Sequence, residues 1–273
     1  MPVLERYRTL SFLSDYGLAD EFVGVVKSVV RSIAPHVTVI DITHEVPPHD
    51  VRAGSLALVR SVQYLAHGVV LAVVDPGVGT DRRAVAVEAG EGDDPAVFVG
   101  PDNGLLASAV SMVGGATRAV SLTNAEFHLP APGPTFAGRD VFAPVAAHVC
   151  AGVDLAELGE SVDPISLRPG ILPVPRVEDG ALVAEVLWVD RFGNAQLNVG
   201  PEELEAFGPR VALRLGDQVR VARRARTYDE LGPGEVGLVI DSYGLVSVAM
   251  SRAPAAEFLG LGSGSGVFLA APD

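Results

Sequence analysis

Asp75 and Arg82 stand seven positions apart, with the turn Pro-Gly-Val-Gly at 76–79 between them. Asp75 is the first polar residue after the apolar run Val-Val-Leu-Ala-Val-Val at 69–74, which reads as a buried strand. Ligands of open α/β sheets bind at the carboxyl ends of strands. A carboxylate in that place can take a proton from water, and a guanidinium folded back beside it keeps it ionised. Asp15 and Asp190 also follow apolar runs directly. A single strand-end aspartate is ordinarily a turn or helix cap. Three of them suit a ligand that carries a ribose diol and an amine, since carboxylates grip both groups.

Other chemistries find less to work with. The 76–79 turn could be read as a phosphate nest, but no Gly-Lys-Ser/Thr ending and no Gly-x-Gly-x-x-Gly fingerprint is present, and Asp75 would repel phosphate. The six histidines show no zinc spacing; the nearest candidate, His44-Glu45 with His49-Asp50, spans a Pro-Pro turn, so no metal is expected. No Gly-x-Ser-x-Gly marks a serine nucleophile. Cys150 is the one cysteine, which excludes an intrachain disulfide and reads as a small buried hydrophobe. Arg220, Arg223, Arg224 and Arg226 read as a solvated strand face.

The elements that must hold these residues alternate in the first part of the chain. Strands are predicted at 8–14, 37–42, 69–74, 84–89 and 96–99. Helices are predicted at 20–34, where Phe22, Val23, Val26, Val29, Val30 and Ile33 have helical spacing and Asp20 is placed to cap, at 50–64 with Asp50 as cap, at 103–112 and at 141–152. Residues 1–162 therefore form a layered α/β domain with a mostly parallel sheet. Residues 163–180 carry four prolines and two glycines and read as a linker. Residues 181–273 show short apolar runs at 182–189, 195–199, 211–215, 219–222, 236–240 and 245–250, with one short helical pattern at 201–206, and read as an all-β barrel or sandwich.

Of 273 residues, 48% are apolar, ample for two cores, and the net charge of −14 argues against nucleic acid as a partner. No apolar run is long enough to span a membrane. The first residues lack an apolar signal core, so a cytoplasmic protein is expected.

Four segments carry a resemblance: Phe-Leu-Ser-Asp-Tyr-Gly at 12–17, Val-Asp-Pro-Gly-Val-Gly-Thr-Asp-Arg at 74–82, Val-Gly-Pro-Asp-Asn-Gly-Leu-Leu at 99–106 and Thr-Phe-Ala-Gly-Arg-Asp-Val-Phe-Ala-Pro at 135–144. In this order they resemble the S-adenosyl-L-methionine (SAM) hydroxide adenosyltransferases, the adenosine-forming SAM hydrolases, whose relatives include fluorinases and chlorinases. Val-Asp-Arg-Phe-Gly-Asn at 189–194 matches in the second domain, and Asp-Ser-Tyr-Gly at 241–244 matches more loosely. The resemblance implies an N-terminal α/β domain and a C-terminal β-barrel. It also implies a homotrimer, each site lying between one subunit's N-terminal domain and its neighbour's C-terminal domain. SAM is then the substrate, adenosine and L-methionine are the products, and no cofactor is needed.

Family roles carry over onto matching residues. Asp75 and Arg82 match two of the three groups, Asp, Arg and His, that hold and activate water. Asp15 would bind the ribose hydroxyls; Asp190, helped by Asp20, the methionine ammonium; Asn194 the adenine; and Ser242 the methionine carboxylate. Phe192 and Tyr228 would stack on adenine, Phe136 would line the ribose side, and Tyr243 joins the substrate-binding set. His49 stands where the halogenating relatives have an aromatic residue.

The third water-holding position departs, because Ala137 stands where the family hydrolases carry histidine, and a methyl group cannot hydrogen-bond water. His128 lies in the preceding loop and is not given the role. Three accounts compete: an active-site variant that traps substrate, a member that works with Asp75 and Arg82 alone, and a chain that binds SAM or adenosine without turnover. Weakened hydrolysis is the expectation. Ala137→His should then raise the rate of adenosine formation by about 10²–10⁴-fold, the contribution of one general acid/base group; an unchanged rate contradicts this. Halogenation is disfavoured, because the halogenating relatives place an uncharged residue where Asp75 stands and a carboxylate repels halide in a pocket of low dielectric. A generic nucleotide-binding α/β protein with an appended barrel is the weakest reading, and preference for ATP over SAM would mark it.

Overall fold

The structure, a computed structural model, describes residues 6–90, 92 and 95–272. Residues 1–5 and 273, the outer ends of the two expected domains, lie outside the described residues. The chain divides into two compact units, one ending at Ile171 and the other beginning at Leu172.

The first unit runs β1 (Thr9–Ser14), α1 (Phe22–Ile33), β2 (Thr38–Thr43), α2 (Val51–Val62), β3 (Val69–Val73), β4 (Ala84–Ala89), β5 (Ala96–Pro101), α3 (Ala107–Met112), β6 (Ala116–Ser121), α4 (Ala143–Cys150) and β7 (Glu160–Val162). The sheet order is β2-β1-β3-β5-β4-β6-β7. Pairs β1–β2, β1–β3 and β3–β5 are parallel, and β4–β5, β4–β6 and β6–β7 are antiparallel. Strands β2, β1, β3, β5 and β6 thus point one way, and only β4 and β7 oppose them. The reversal at β4 has a simple cause: residues 90–95 are too few for the dozen-residue crossover that a parallel neighbour requires.

Strand β3 shows why this sheet is buried on both faces. Val69, Leu71 and Val73 pack with Val23, Val26 and Val30 of α1 and with Val145 and Val149 of α4. The alternate residues Val70, Ala72 and Val74 pack with Leu58 and Val62 of α2 and Val110 of α3. Period-two alternation along a strand covered on both sides leaves an unbroken apolar run, as the sequence of 69–74 shows.

Three helix boundaries differ from expectation. Asp50 caps α2, its side chain accepting the Ala53 amide at 2.9 Å, but Asp20 does not cap α1. Glu21 holds that position with φ −73° and ψ −8° and makes no side-chain bond, since a capping side chain needs extended backbone to reach back to the helix amides. The helix expected from 103 begins at Ala107. Asn103 instead donates its side-chain amide to the Val74 carbonyl at 2.9 Å and accepts the Leu105 amide at 3.1 Å, a local bond that favours a turn. Helix α4 is entered through a π-helical turn at Gly138–Phe142.

Cys150, fully buried at the end of α4, has its thiol pushed up to about 12 by burial. Iodoacetamide at mild alkaline pH should leave it unmodified in the folded chain and alkylate it after unfolding, because the thiolate is the reactive form. Mass spectrometry that finds equal labelling in both states contradicts this.

The second unit runs β8 (Arg176–Glu178), β9 (Ala181–Val189), β10 (Ala195–Leu197), α5 (Pro201–Glu205), β11 (Arg210–Leu215), β12 (Gln218–Ala225), β13 (Val236–Ile240), β14 (Val246–Met250), α6 (Ala255–Leu259) and β15 (Gly266–Ala270). The order is β10-β14-β13-β12-β11-β15-β9-β8, and a β10–β9 pairing closes it. The result is a seven-stranded barrel rather than a sandwich, with β8 as an outer hairpin partner of β9. Closure removes the exposed strand edges that invite aggregation. Leu182, Val186, Leu197, Leu213, Leu238, Val248 and Leu269 fill its interior. The sequence reading passed over α6 and β15; β15 completes the ring between β11 and β9.

The proline-rich stretch 163–180 contributes structure at both ends. Asp102 accepts the Arg168 amide at 2.7 Å in the first unit, and Arg176–Glu178 pairs with β9 in the second. In the arginine cluster, Arg223 pairs with Glu235 at 2.9 Å, Arg226 with Glu230 at 3.0 Å, and Arg224 donates to the carbonyls of Leu204 and Phe207. These charges serve the barrel's own turns. Among the described residues no helix is long and apolar enough to cross a membrane.

Candidate active site

Strands β1 and β3 are parallel neighbours, with Ser14 beside Val73. The residues just beyond their carboxyl ends, Asp15 and Asp75, therefore arrive on the same edge of the sheet. Both line a cavity of about 540 Å³, whose other walls include Tyr16, His49, Phe136, Ala137 and Arg139.

The seven-residue spacing of Asp75 and Arg82 is closed by the turn between them. The Val78 amide donates to the Asp75 carbonyl at 3.2 Å and the Thr80 amide to the Gly77 carbonyl at 3.2 Å. Gly79 has φ +78°, a region that strains other residues. The Val78 and Thr80 amides are thus engaged inside the turn and not offered to a phosphate. Arg82 grips Asp75 with both prongs: Nε donates to Oδ1 at 2.8 Å and Nη2 to Oδ2. This fork-to-fork pair is the strong form of a charged hydrogen bond. Its side chains are only 15% and 5% exposed, and the guanidinium lies 5.1 Å over the Phe142 ring. Asp75 lines the cavity and Arg82 stands behind it, so the guanidinium reaches a ligand through the carboxylate.

Asp15 is oriented from the other side. Its Oδ2 accepts the His49 amide at 2.9 Å, and among the described residues Oδ1 has no partner and can take a ligand. His49 adopts φ +68°, a left-handed backbone uncommon outside glycine. Buried His44 anchors the turn that carries Asp15: Nδ1 lies 2.8 Å from Ser14 Oγ, Nε2 lies 3.1 Å from Asp41 Oδ1, and its carbonyl accepts the Gly17 amide at 2.8 Å.

Tyr16 was not singled out by the sequence, although it follows a strand-end aspartate. Its ring meets Phe12, Phe22 and Phe136 edge-on, with centroids 6.5, 5.8 and 5.6 Å apart. Its hydroxyl reaches the backbone of Gly138 so closely that a Cβ there would lie 2.0 Å from it. Burial holds this phenol well above the ordinary tyrosine range; the charges of Asp15 and Asp75 add to the effect and Arg82 opposes it.

Of the other expected residues of the first unit, Phe136 and Ala137 line the cavity, and Ala137 opens the π-helical turn. Asp20 is exposed and His128 is partly buried, and neither is among the cavity walls.

The barrel gathers the rest. Asp190 closes the β9–β10 turn, accepting the amides of Phe192 and Asn194 at 2.9 and 2.8 Å and the Asn194 side chain at 2.8 Å. Asp241 does the same for the turn that presents Ser242, accepting the amides of Tyr243 and Leu245 at 2.9 and 3.2 Å and the side chains of Gln196 and Ser247 at 2.6 and 2.9 Å. Tyr228 is close enough to both carboxylates for them to add to the upward push that burial gives its phenol. Phe192, Tyr228 and Tyr243 are 77%, 41% and 40% exposed, an unusual share of aromatic surface for turns that need none.

A layered α/β unit with a cavity at the carboxyl ends of its strands, walled by a carboxylate that a part-buried arginine holds, is the build of an enzyme acting on a small molecule. Residues 10–159 match the SAM hydroxide adenosyltransferase N-terminal domain and residues 184–268 the C-terminal domain. The chain belongs to the SAM hydroxide adenosyltransferase family. It is 46% identical to a protein of Salinispora tropica named (R)-S-adenosyl-L-methionine hydrolase, over 93% of this chain and 95% of the relative. A fluorinase of an Actinoplanes strain is more distant, at 28% identity over 90% of this chain and 92% of that one. Among solved structures, an uncharacterized conserved protein of Thermotoga maritima superposes with a TM-score of 0.87 at 34% identity, covering 96% of this chain and 99% of the other.

Proposed function

We propose that the chain hydrolyses SAM by attack of an activated water at C5′, giving adenosine and L-methionine. The observation that carries this reading is the Asp75–Arg82 pair on the wall of a cavity that also holds Asp15.

The leaving group sets the requirement. Sulfur departs as a neutral thioether, taking the C5′–S electron pair, so no acid is needed. Water, with a pKa of about 15.7, is a poor nucleophile and must be activated. It must also stand in line with the breaking bond, about 3–3.5 Å from the carbon. Asp75, held by both prongs of Arg82, accepts the water's proton as the O–C5′ bond forms, and the proton then leaves to solvent. Asp15 takes the ribose diol through its free oxygen. In this reading a homotrimer completes each site with a neighbour's barrel. Asp190, with Asp20, meets the ammonium, Asn194 the adenine and Ser242 the carboxylate, while Phe192, Tyr228 and Tyr243 cover the base. No cofactor enters.

The relatives' name specifies the R configuration at sulfur, so the test uses SAM resolved into its two sulfonium epimers, in water enriched in ¹⁸O. Adenosine that carries ¹⁸O at its 5′-oxygen, with unlabelled methionine and faster loss of the R epimer, is expected. SAM retained in equimolar amount without adenosine would instead establish a binding protein, the reading that Ala137 keeps open. Added chloride should yield no chlorodeoxyadenosine, since Asp75 repels halide from the attacking position; its detection by chromatography would overturn the preference for water.

A further inference from the structure

We propose that the Tyr16 hydroxyl holds the attacking water beside Ala137, donating its hydrogen to the water oxygen while the water donates to Asp75. The inference rests on the hydrolysis reading and adds to it a group that neither the strand-end aspartates nor the family roles include.

Four observations converge. Tyr16, Asp75 and Ala137 line the same cavity. Among the described residues the Tyr16 hydroxyl has no hydrogen-bond partner, and it is not among the polar atoms sealed from solvent, so its hydrogen is available to a water in the cavity. Three edge-on aromatic contacts fix the ring, so the hydroxyl is aimed rather than mobile. It is aimed at the first residue of the π-helical turn, Gly138, directly after Ala137, where the missing Cβ makes room for it. Position 138 thus accommodates the tyrosine oxygen at the point where the methyl of Ala137 offers nothing polar.

Charge completes the case. Burial first, and then the carboxylates of Asp15 and Asp75, resist ionisation of the phenol, so Tyr16 remains a donor throughout the working pH range. A water that gives one hydrogen to Asp75 and accepts one from Tyr16 has a lone pair left to point at C5′. When the O–C5′ bond forms, the C5′–S pair goes to sulfur and the water's proton to Asp75; Tyr16 keeps its own hydrogen and balances the oxygen's charge as it changes.

The test compares Tyr16→Phe, which preserves the ring contacts and removes only the oxygen, with the full-length wild-type chain. The expected result is a kcat for adenosine formation lowered by about 10–100-fold, the worth of one hydrogen bond to a charged group, with KM for SAM and the melting temperature near wild type. Ala137→His is then placed in both backgrounds. Its fold-gain should be larger in Tyr16→Phe than in wild type, because there the histidine fills an empty role. Equal gains, or a Tyr16→Phe chain with wild-type kcat, overturn the assignment while leaving hydrolysis intact. A wild-type chain that forms no adenosine overturns the hydrolysis reading and this inference together.

Discussion

Asp75→Asn is expected to lower kcat for adenosine formation by about 10²–10⁴-fold, the contribution of a positioned general base, with little change in SAM binding. The amide has nearly the shape of the carboxylate, so the cavity keeps its volume. It cannot take a proton, however, and one of its two terminal atoms is now a donor facing the guanidinium. Of the two bonds from Arg82, only one survives. No adjustment of pH restores a base, so the rate should stay low across the whole profile. Single-turnover chromatography measures it. A rate within a few-fold of wild type would remove Asp75 from the chemistry.

Arg82→Leu should fail differently. The pair is nearly enclosed, with side chains 15% and 5% exposed, unlike Arg118–Asp154 at 45% and 50%. Exposed pairs contribute about 0–1 kcal/mol, whereas breaking a buried one costs about 3–5 kcal/mol. The residual exposure of Arg82 places the expected loss near the lower end. Without the guanidinium the carboxylate also loses the two donors that orient it, so the rate of adenosine formation should fall with the stability. Denaturant unfolding measures the stability loss and single-turnover chromatography the rate. Wild-type values of both would mean that the arginine neither supports the fold nor holds Asp75 for the reaction.

Much of this site was legible because strand ends are legible. The apolar run at 69–74 located the end of β3, and its parallel pairing with β1 brings Asp15 and Asp75 together. Asp50 announced its helix because its side chain caps it. Asp20, with the same chemistry at a similar place, did not cap, because the backbone had already turned helical at Glu21; capping depends on φ and ψ, which composition does not record. The opposed strand β4 was hidden for a related reason, since an apolar run reads the same in either direction and only the short connection at 90–95 betrays it. Periodicity alone left sandwich and barrel open, because closure turns on one long-range pairing, β9 with β10; the family resemblance implied the barrel, and the structure has it. Tyr16 was overlooked because its significance lies in a contact with Gly138, more than a hundred residues away.

A crystal structure with adenosine bound tests the central claim most directly, because the 5′-oxygen of that product is the atom that entered as water. The account predicts this oxygen within hydrogen-bonding reach, about 2.6–3.2 Å, of an Asp75 carboxylate oxygen, with the ribose diol on Asp15. A nucleoside whose 5′-carbon points away from Asp75, or that sits outside the cavity walled by Asp15 and Asp75, would contradict it.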